Sequence, residues 1–142
     1  MTEASRCWSL PTSTWMKTSM QTIERVPSGH AGRSRSCAYA NIVYTVATSP
    51  DTSLDIVGQT HQALAALSAS LESLGSHPSR MLSAQVLLAD MGSKTVVDEI
   101  WARWIGDNPQ HWPQRACYGV DLGGKLLIEI IVTAARETAY DA

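Results

Sequence analysis

A chain of 142 residues with a net charge of −2 is long enough for one domain with a real core, and too evenly charged to present a global field to nucleic acid or lipid. Its three cysteines, Cys7, Cys37 and Cys117, are far apart and form no C-x-x-C pair. That argues against a disulfide framework or a zinc site and suits a reducing, cytoplasmic compartment. No apolar run approaches the roughly 20 residues needed to span a bilayer.

Residues 1–19 stand apart. They are rich in Ser and Thr, with Trp8 and Trp15 isolated and no apolar core of a secretory signal. A loosely ordered extension is expected there, with a single domain over 20–142. From Met20 to Val26 a weak alternation suits an edge strand. Pro27 to Gly32 reads as loop, Arg33 to Tyr39 as a second strand, Ala40-Asn41 as a turn and Ile42 to Ala47 as a third strand. Arg33 and Arg35 either form a solvated strand edge or place one guanidinium in an anion pocket.

The strongest helical period follows. Val57, Thr60, Leu64, Leu67, Leu71 and Leu74 recur at spacings of three and four, with Asp51 or Ser53 as the cap and Gly75 as the stop. His61 lies off this stripe, which suits a surface residue. Met81 to Ala89 reads as a strand. Ser93 then caps a second helix that turns Val97, Ile100, Trp101 and Trp104 inward and ends at Asn108-Pro109. Asp98, polar in mid-helix, reads as solvated.

The last third carries the chemistry. Trp112-Pro113-Gln114-Arg115-Ala116-Cys117-Tyr118 and Lys125 to Ala134 read as two strands joined by a tight Gly123-Gly124 turn. The second is almost wholly apolar except for Glu129. A carboxylate in such a strand must be paired, neutral or turned to a wet cavity, because burying it alone costs several kcal/mol. The turn decides its direction. A two-residue loop sets Glu129 against Tyr118, away from Arg115, whereas a three-residue loop or a bulge puts Glu129 on the face of Arg115. We expect the latter arrangement.

The element order is therefore β-β-β-α-β-α-β-β, an α+β fold with two helices on one face of a sheet. Since Leu82 to Leu88 and Leu126 to Ala134 are apolar on both faces, another copy of the chain is expected to cover the second face.

These features carry a resemblance. The chain from about Met20 to Arg136 resembles the YjgF-like reactive-intermediate deaminase (Rid) family, also catalogued as endoribonuclease L-PSP. The matching stretches are Asp55 to Leu64, Ala84 to Asp90, Trp101-x-x-Trp104, Pro113-x-Arg115-x-Cys117, and Ile128-Glu129-Ile130 with Ala134-Ala135-Arg136. The resemblance implies a chorismate-mutase-like fold in a homotrimer, with one mixed sheet per subunit forming an inner barrel, and sites in clefts at the subunit interfaces. It implies cofactor-independent hydrolysis of enamine or imine carboxylates, of the 2-aminoacrylate type, to a 2-keto acid and ammonia. Arg115 would hold the substrate carboxylate through two parallel charge-assisted bonds, and Glu129 would move a proton or orient water. Cys117 would supply backbone and wall.

The sequence departs from the family pattern where a tyrosine-bearing N-terminal segment is missing. Arg33 stands near that tyrosine's position, and a second cation there would favour a dianionic substrate such as 2-aminomuconate. Val46-Ala47-Thr48 also replaces the family's Ser-Gly-Gln. Two other functions compete. A module that binds small carboxylates without turnover would need Arg115 equally. A nuclease, as the older family name suggests, finds no support in the balanced charge or in any basic-aromatic stripe.

Overall fold

The computed structural model describes residues 22–137, so the expected extension 1–19 lies outside the described residues. Eight elements follow in the expected order. Strands β1 (Glu24–Pro27), β2 (Ser34–Tyr39) and β3 (Ile42–Thr48) precede helix α1 (Ile56–Ser73), strand β4 (Met81–Leu88) and helix α2 (Lys94–Ile105). Strands β5 (Gln114–Gly119) and β6 (Ile128–Ala135) complete the domain. The first strand includes Pro27 at its end, beside an irregularity in pairing with β2; a ring nitrogen without a hydrogen is tolerated there because β1 is an edge.

The sheet order is β1-β2-β3-β6-β4-β5, antiparallel throughout except for the parallel pair β4–β5. That order overturns the expected hairpin between the last two strands. β5 and β6 both pair with β4, which lies between them, and residues 120–127 cross from one side of β4 to the other. The glycine turn exists inside this connection: Gly123 and Gly124 both have positive φ, and Leu126 N–H donates to Gly123 O at 3.4 Å. It turns a loop and sets no strand register.

Helix α1 is capped by Asp55, whose carboxylate accepts from Gly58 N–H, and not by Asp51 or Ser53, which bond to each other in the preceding turn. It stops as its composition demands. Gly75 takes φ +82°, and Ser76 N–H reaches back to Leu71 O at 2.8 Å. The buried stripe is Gln59, Thr60, Ala63, Leu64, Leu67 and Leu71; Val57, expected inward, is exposed. Helix α2 turns Val97, Ile100 and Trp101 inward and ends at Gly106, earlier than Asn108-Pro109. Asn108 instead caps a short 3-10 turn over Pro109–His111.

Both helices pack on one face of the sheet, against Ala38, Val43, Ala47, Ala84, Val86, Leu88, Ile128, Ile130, Val132 and Ala134. Each large aliphatic side chain buried there contributes about 1.5–3 kcal/mol relative to exposure. Two polar residues on this face satisfy each other, the hydroxyls of Ser36 and Thr45 meeting at 2.6 Å. The opposite face carries Tyr44, Val46, Ile131, Leu87 and Tyr118 by alternation along their strands, with none of the described residues over them. Tyr44 is 53% exposed and Tyr118 49%.

Arg136, just past β6, ties the far edge together. It donates to Ala40 O and Leu74 O and to both carboxylate oxygens of Glu24. The hydrogen bond from Arg136 holds the Glu24 carboxyl below its ordinary range despite slight desolvation. A depressed folded pKa stabilises the fold above the unfolded value of about 4.3, and that contribution is lost as pH falls through the folded value. Glu24→Gln is therefore expected to cost about 0.5 kcal/mol at pH 7, since Glu24 is half exposed. The gap to wild type should close in acid. Urea unfolding at several pH values checks this, and a gap independent of pH would assign the pair no electrostatic role.

Candidate functional site

Arg115 sits near the start of β5, an edge strand, paired with Ala84 of β4. The chain arrives there on a restrained path. The 3-10 turn over Pro109–His111 leads to Trp112, whose indole N–H donates to Gly106 O at 2.9 Å, and then to Pro113, whose ring fixes φ. Ala84 is a core residue, so Arg115 points to the helix face. There its guanidinium lies over the Trp101 ring, 5.3 Å from the centroid, and its Nη2 donates to Asp98 Oδ1 at 2.5 Å. The other oxygen of Asp98 accepts from Lys94 Nζ at 2.7 Å.

These four side chains form one constellation. Lys94, Asp98 and Trp101 are four and three residues apart and so share a face of α2. Partial desolvation pushes the Asp98 carboxyl up, but hydrogen bonds from Lys94 and Arg115, with both positive charges, outweigh it and hold the group below its ordinary range. The Arg115 side chain is 19% exposed, enough for its outer edge to meet a solute. A guanidinium set over an indole and already paired with a carboxylate is oriented for carboxylates.

Among the other candidates, Cys117 points the same way as Arg115, paired with Val86 and packed partly against the core, as a wall residue would be. Glu129 does not. It pairs with Leu87 of β4 and Thr48 of β3, in the row that ends at Tyr118, so it faces away from the helices and from Arg115. The expectation that Glu129 shares Arg115's face is thus corrected. Because β4 separates β5 from β6, the register is set by pairing to β4, and the length of the glycine loop has no say. Glu129 is half-buried, and it is the one carboxylate among the strand residues on that face.

Arg33 is exposed, just before β2, with its backbone oxygen accepting from Ser28 Oγ at 3.0 Å. β2 and β5 are four strands apart, about 19 Å at the usual strand spacing. One chain therefore does not bring Arg33 to Arg115. Arg35 lines a shallow depression of about 150 Å³ with Val46, Thr48, Pro50 and Ser70. His61, on the surface as expected, borders a groove of about 400 Å³ between the helices, with Ile100, Arg103 and Trp104.

Two residues escaped the sequence reading. Asp98 was expected to be solvated, yet it organises the site; the signal was the Lys94-Asp98-Trp101 spacing on a helix that leads directly into the Arg115 strand. Gln59 is fully buried in α1, and its side-chain oxygen accepts from Leu127 N–H at 2.9 Å. Its amide nitrogen lies 3.1–3.3 Å from the carbonyl oxygens of Thr52, Leu54 and Lys125. A polar residue in the series Gln59, Ala63, Leu67, Leu71 was the legible sign.

Comparison with known proteins adds four findings. The family model described as endoribonuclease L-PSP matches residues 28–136. A RutC family protein of Haemophilus ducreyi is 33% identical over 99 residues, covering 68% of this chain and 83% of that protein. The crystal structure of a Pseudomonas aeruginosa protein, 31% identical, superposes with a TM-score of 0.73 over 82% of this chain and all of its own. A YjgF-family structure from Neisseria meningitidis, at 21% identity, shares the fold with a TM-score of 0.71 over 83% of this chain and 98% of its own.

Proposed function

We propose, from the premise that the chain belongs to the endoribonuclease L-PSP (YjgF-like) family, that it hydrolyses enamine or imine carboxylates to 2-keto acids and ammonia. The observation that carries this reading is the Arg115 guanidinium, backed by Trp101 and oriented for a carboxylate. Arg115 holds the substrate's carboxylate and so fixes the adjacent C–N carbon. Protonation of an enamine at its outer carbon gives the imine. Water then adds to the imine carbon and a proton reaches nitrogen. The C–N bond breaks with its electron pair leaving on ammonia, and loss of the hydroxyl proton completes the keto acid. Holding the substrate beside a positioned water accounts for the acceleration required.

The working unit in this reading is a homotrimer, as the family resemblance implies; the exposed Tyr44, Val46 and Tyr118, uncovered by the described residues, give a second copy a face to cover. Glu129 lies on that face and enters a site with Arg115 only from a neighbouring copy, as the proton-handling group. Arg33 likewise joins only across an interface, which keeps a dicarboxylic substrate such as 2-aminomuconate as the narrower form of the proposal.

The test measures ammonia and keto-acid release from enamines generated in situ by a serine or threonine dehydratase, with sedimentation on the same sample. Acceleration by wild type, reduced at least tenfold in Glu129→Gln with the oligomer intact, is the expected result. Intact trimers that accelerate neither 2-aminoacrylate nor 2-aminomuconate would favour the second reading, a carboxylate-binding module without turnover, which the same Arg115 geometry supports.

A further inference from the structure

We propose that Asp98 is a specificity-determining residue, a tethered carboxylate that occupies Arg115 until a ligand's carboxylate displaces it, and that it tunes the site toward ligands with one negative charge. The inference rests on the reading of Arg115 as the carboxylate holder.

Asp98 takes one oxygen to Arg115 at 2.5 Å and the other to Lys94 at 2.7 Å. It thus sits on the guanidinium as an incoming carboxylate would, and a ligand must take over that bond. The Lys94 bond makes displacement feasible. When Arg115 turns to the ligand, Asp98 keeps a cation and is not left unpaired. Charge sets the selectivity. Within one chain, Lys94 and Arg115 against Asp98 leave one net positive charge, which one carboxylate neutralises; a second carboxylate needs a further cation, such as Arg33 brought across an interface. Glu99 and Arg103 are exposed on other faces of α2, and Glu129 lies across the sheet, so none alters this local balance.

The experiment measures binding of a monocarboxylic and a dicarboxylic 2-keto acid, 2-oxobutyrate and 2-oxoglutarate, by titration calorimetry on the full chain. Asp98→Asn retains the side-chain shape and removes the charge. It is expected to tighten 2-oxobutyrate about tenfold, with a larger gain for 2-oxoglutarate. Lys94→Met, by contrast, should weaken both probes several-fold, because Asp98 then rests on Arg115 alone. Equal or weaker binding by folded Asp98→Asn would overturn the proposal and make Asp98 a strut for Arg115. Should Asp98→Asn fail to fold, tighter binding by Lys94→Met would overturn it equally. Arg115→Ala separates the two levels of argument: if it binds 2-oxobutyrate as wild type does, the carboxylate-holding reading itself fails.

Discussion

Arg115→Ala is expected to lower kcat/KM for enamine carboxylates by about 10²–10³-fold, roughly 3–4 kcal/mol of transition-state stabilisation. The loss combines two effects, release of the bidentate grip and loss of the orientation that the grip imposes. Arg115→Lys should recover little, because an ammonium cannot make the two parallel bonds that the planar guanidinium over Trp101 can. The fold should tolerate either change. Asp98 keeps Lys94 and is partly solvated, so the stability cost is about 1 kcal/mol. Steady-state kinetics alongside thermal unfolding makes the distinction. Undiminished kcat/KM in Arg115→Ala would take the substrate carboxylate away from β5 altogether.

The largest stability effect is expected at Gln59. Its amide joins the loop before α1, at Thr52 and Leu54, to the connection before β6, at Lys125 and Leu127. Leucine at this site fits the volume and provides no partner. It leaves the Leu127 N–H and the carbonyls of Leu54 and Lys125 short of hydrogen bonds where water reaches poorly. A cost of about 3 kcal/mol follows, at 1–3 kcal/mol for each unsatisfied group with part of it relieved by relaxation. Gln59→Glu should fare as badly at neutral pH, since a carboxylate would face three carbonyl oxygens. Denaturant unfolding gives the cost, and hydrogen exchange at the Leu127 amide should speed up in the same variants. A Gln59→Leu protein within 0.5 kcal/mol of wild type would show that this bridge bears little of the fold.

The number, type and order of the elements could be read from periodicity because each burial stripe repeats over several turns or strand residues. Register could not. The expected contact between Arg115 and Glu129 assumed that strands adjacent in sequence pair with each other, as usually holds. Here β4 intrudes, its apolar residues matching Ile128, Ile130 and Val132 on one side and Cys117 on the other. Nothing within residues 114–134 encodes that insertion; it is a property of the whole sheet. Asp55 was missed as the α1 cap because Asp51 and Ser53 carry equally good capping chemistry and spend it on each other. Asp98 was misjudged for a similar reason. A carboxylate in mid-helix is ordinarily solvated, and its partner Arg115 belongs to another element. The arginine itself was legible, since a proline two residues ahead and an apolar strand behind single it out.

The strand order also imposes a schedule on folding. β6, the last described strand in the chain, fills the middle of the sheet between β3 and β4. Until it is made, β1 to β3 can form one antiparallel ribbon, and β4 with β5 one parallel pair, but the two halves share no ladder. As synthesis proceeds from the N-terminus, the ribosome thus holds a divided sheet whose inner edges expose Val43, Ala47, Ala84 and Val86 beside unpaired backbone. Such edges are where nascent chains find wrong partners. Completion then comes as a single late insertion, with Arg136 closing onto Glu24 across nearly the whole described chain. The sheet is therefore closed from its two halves toward its centre, and its cohesion depends on β6 more than the length of that strand would suggest.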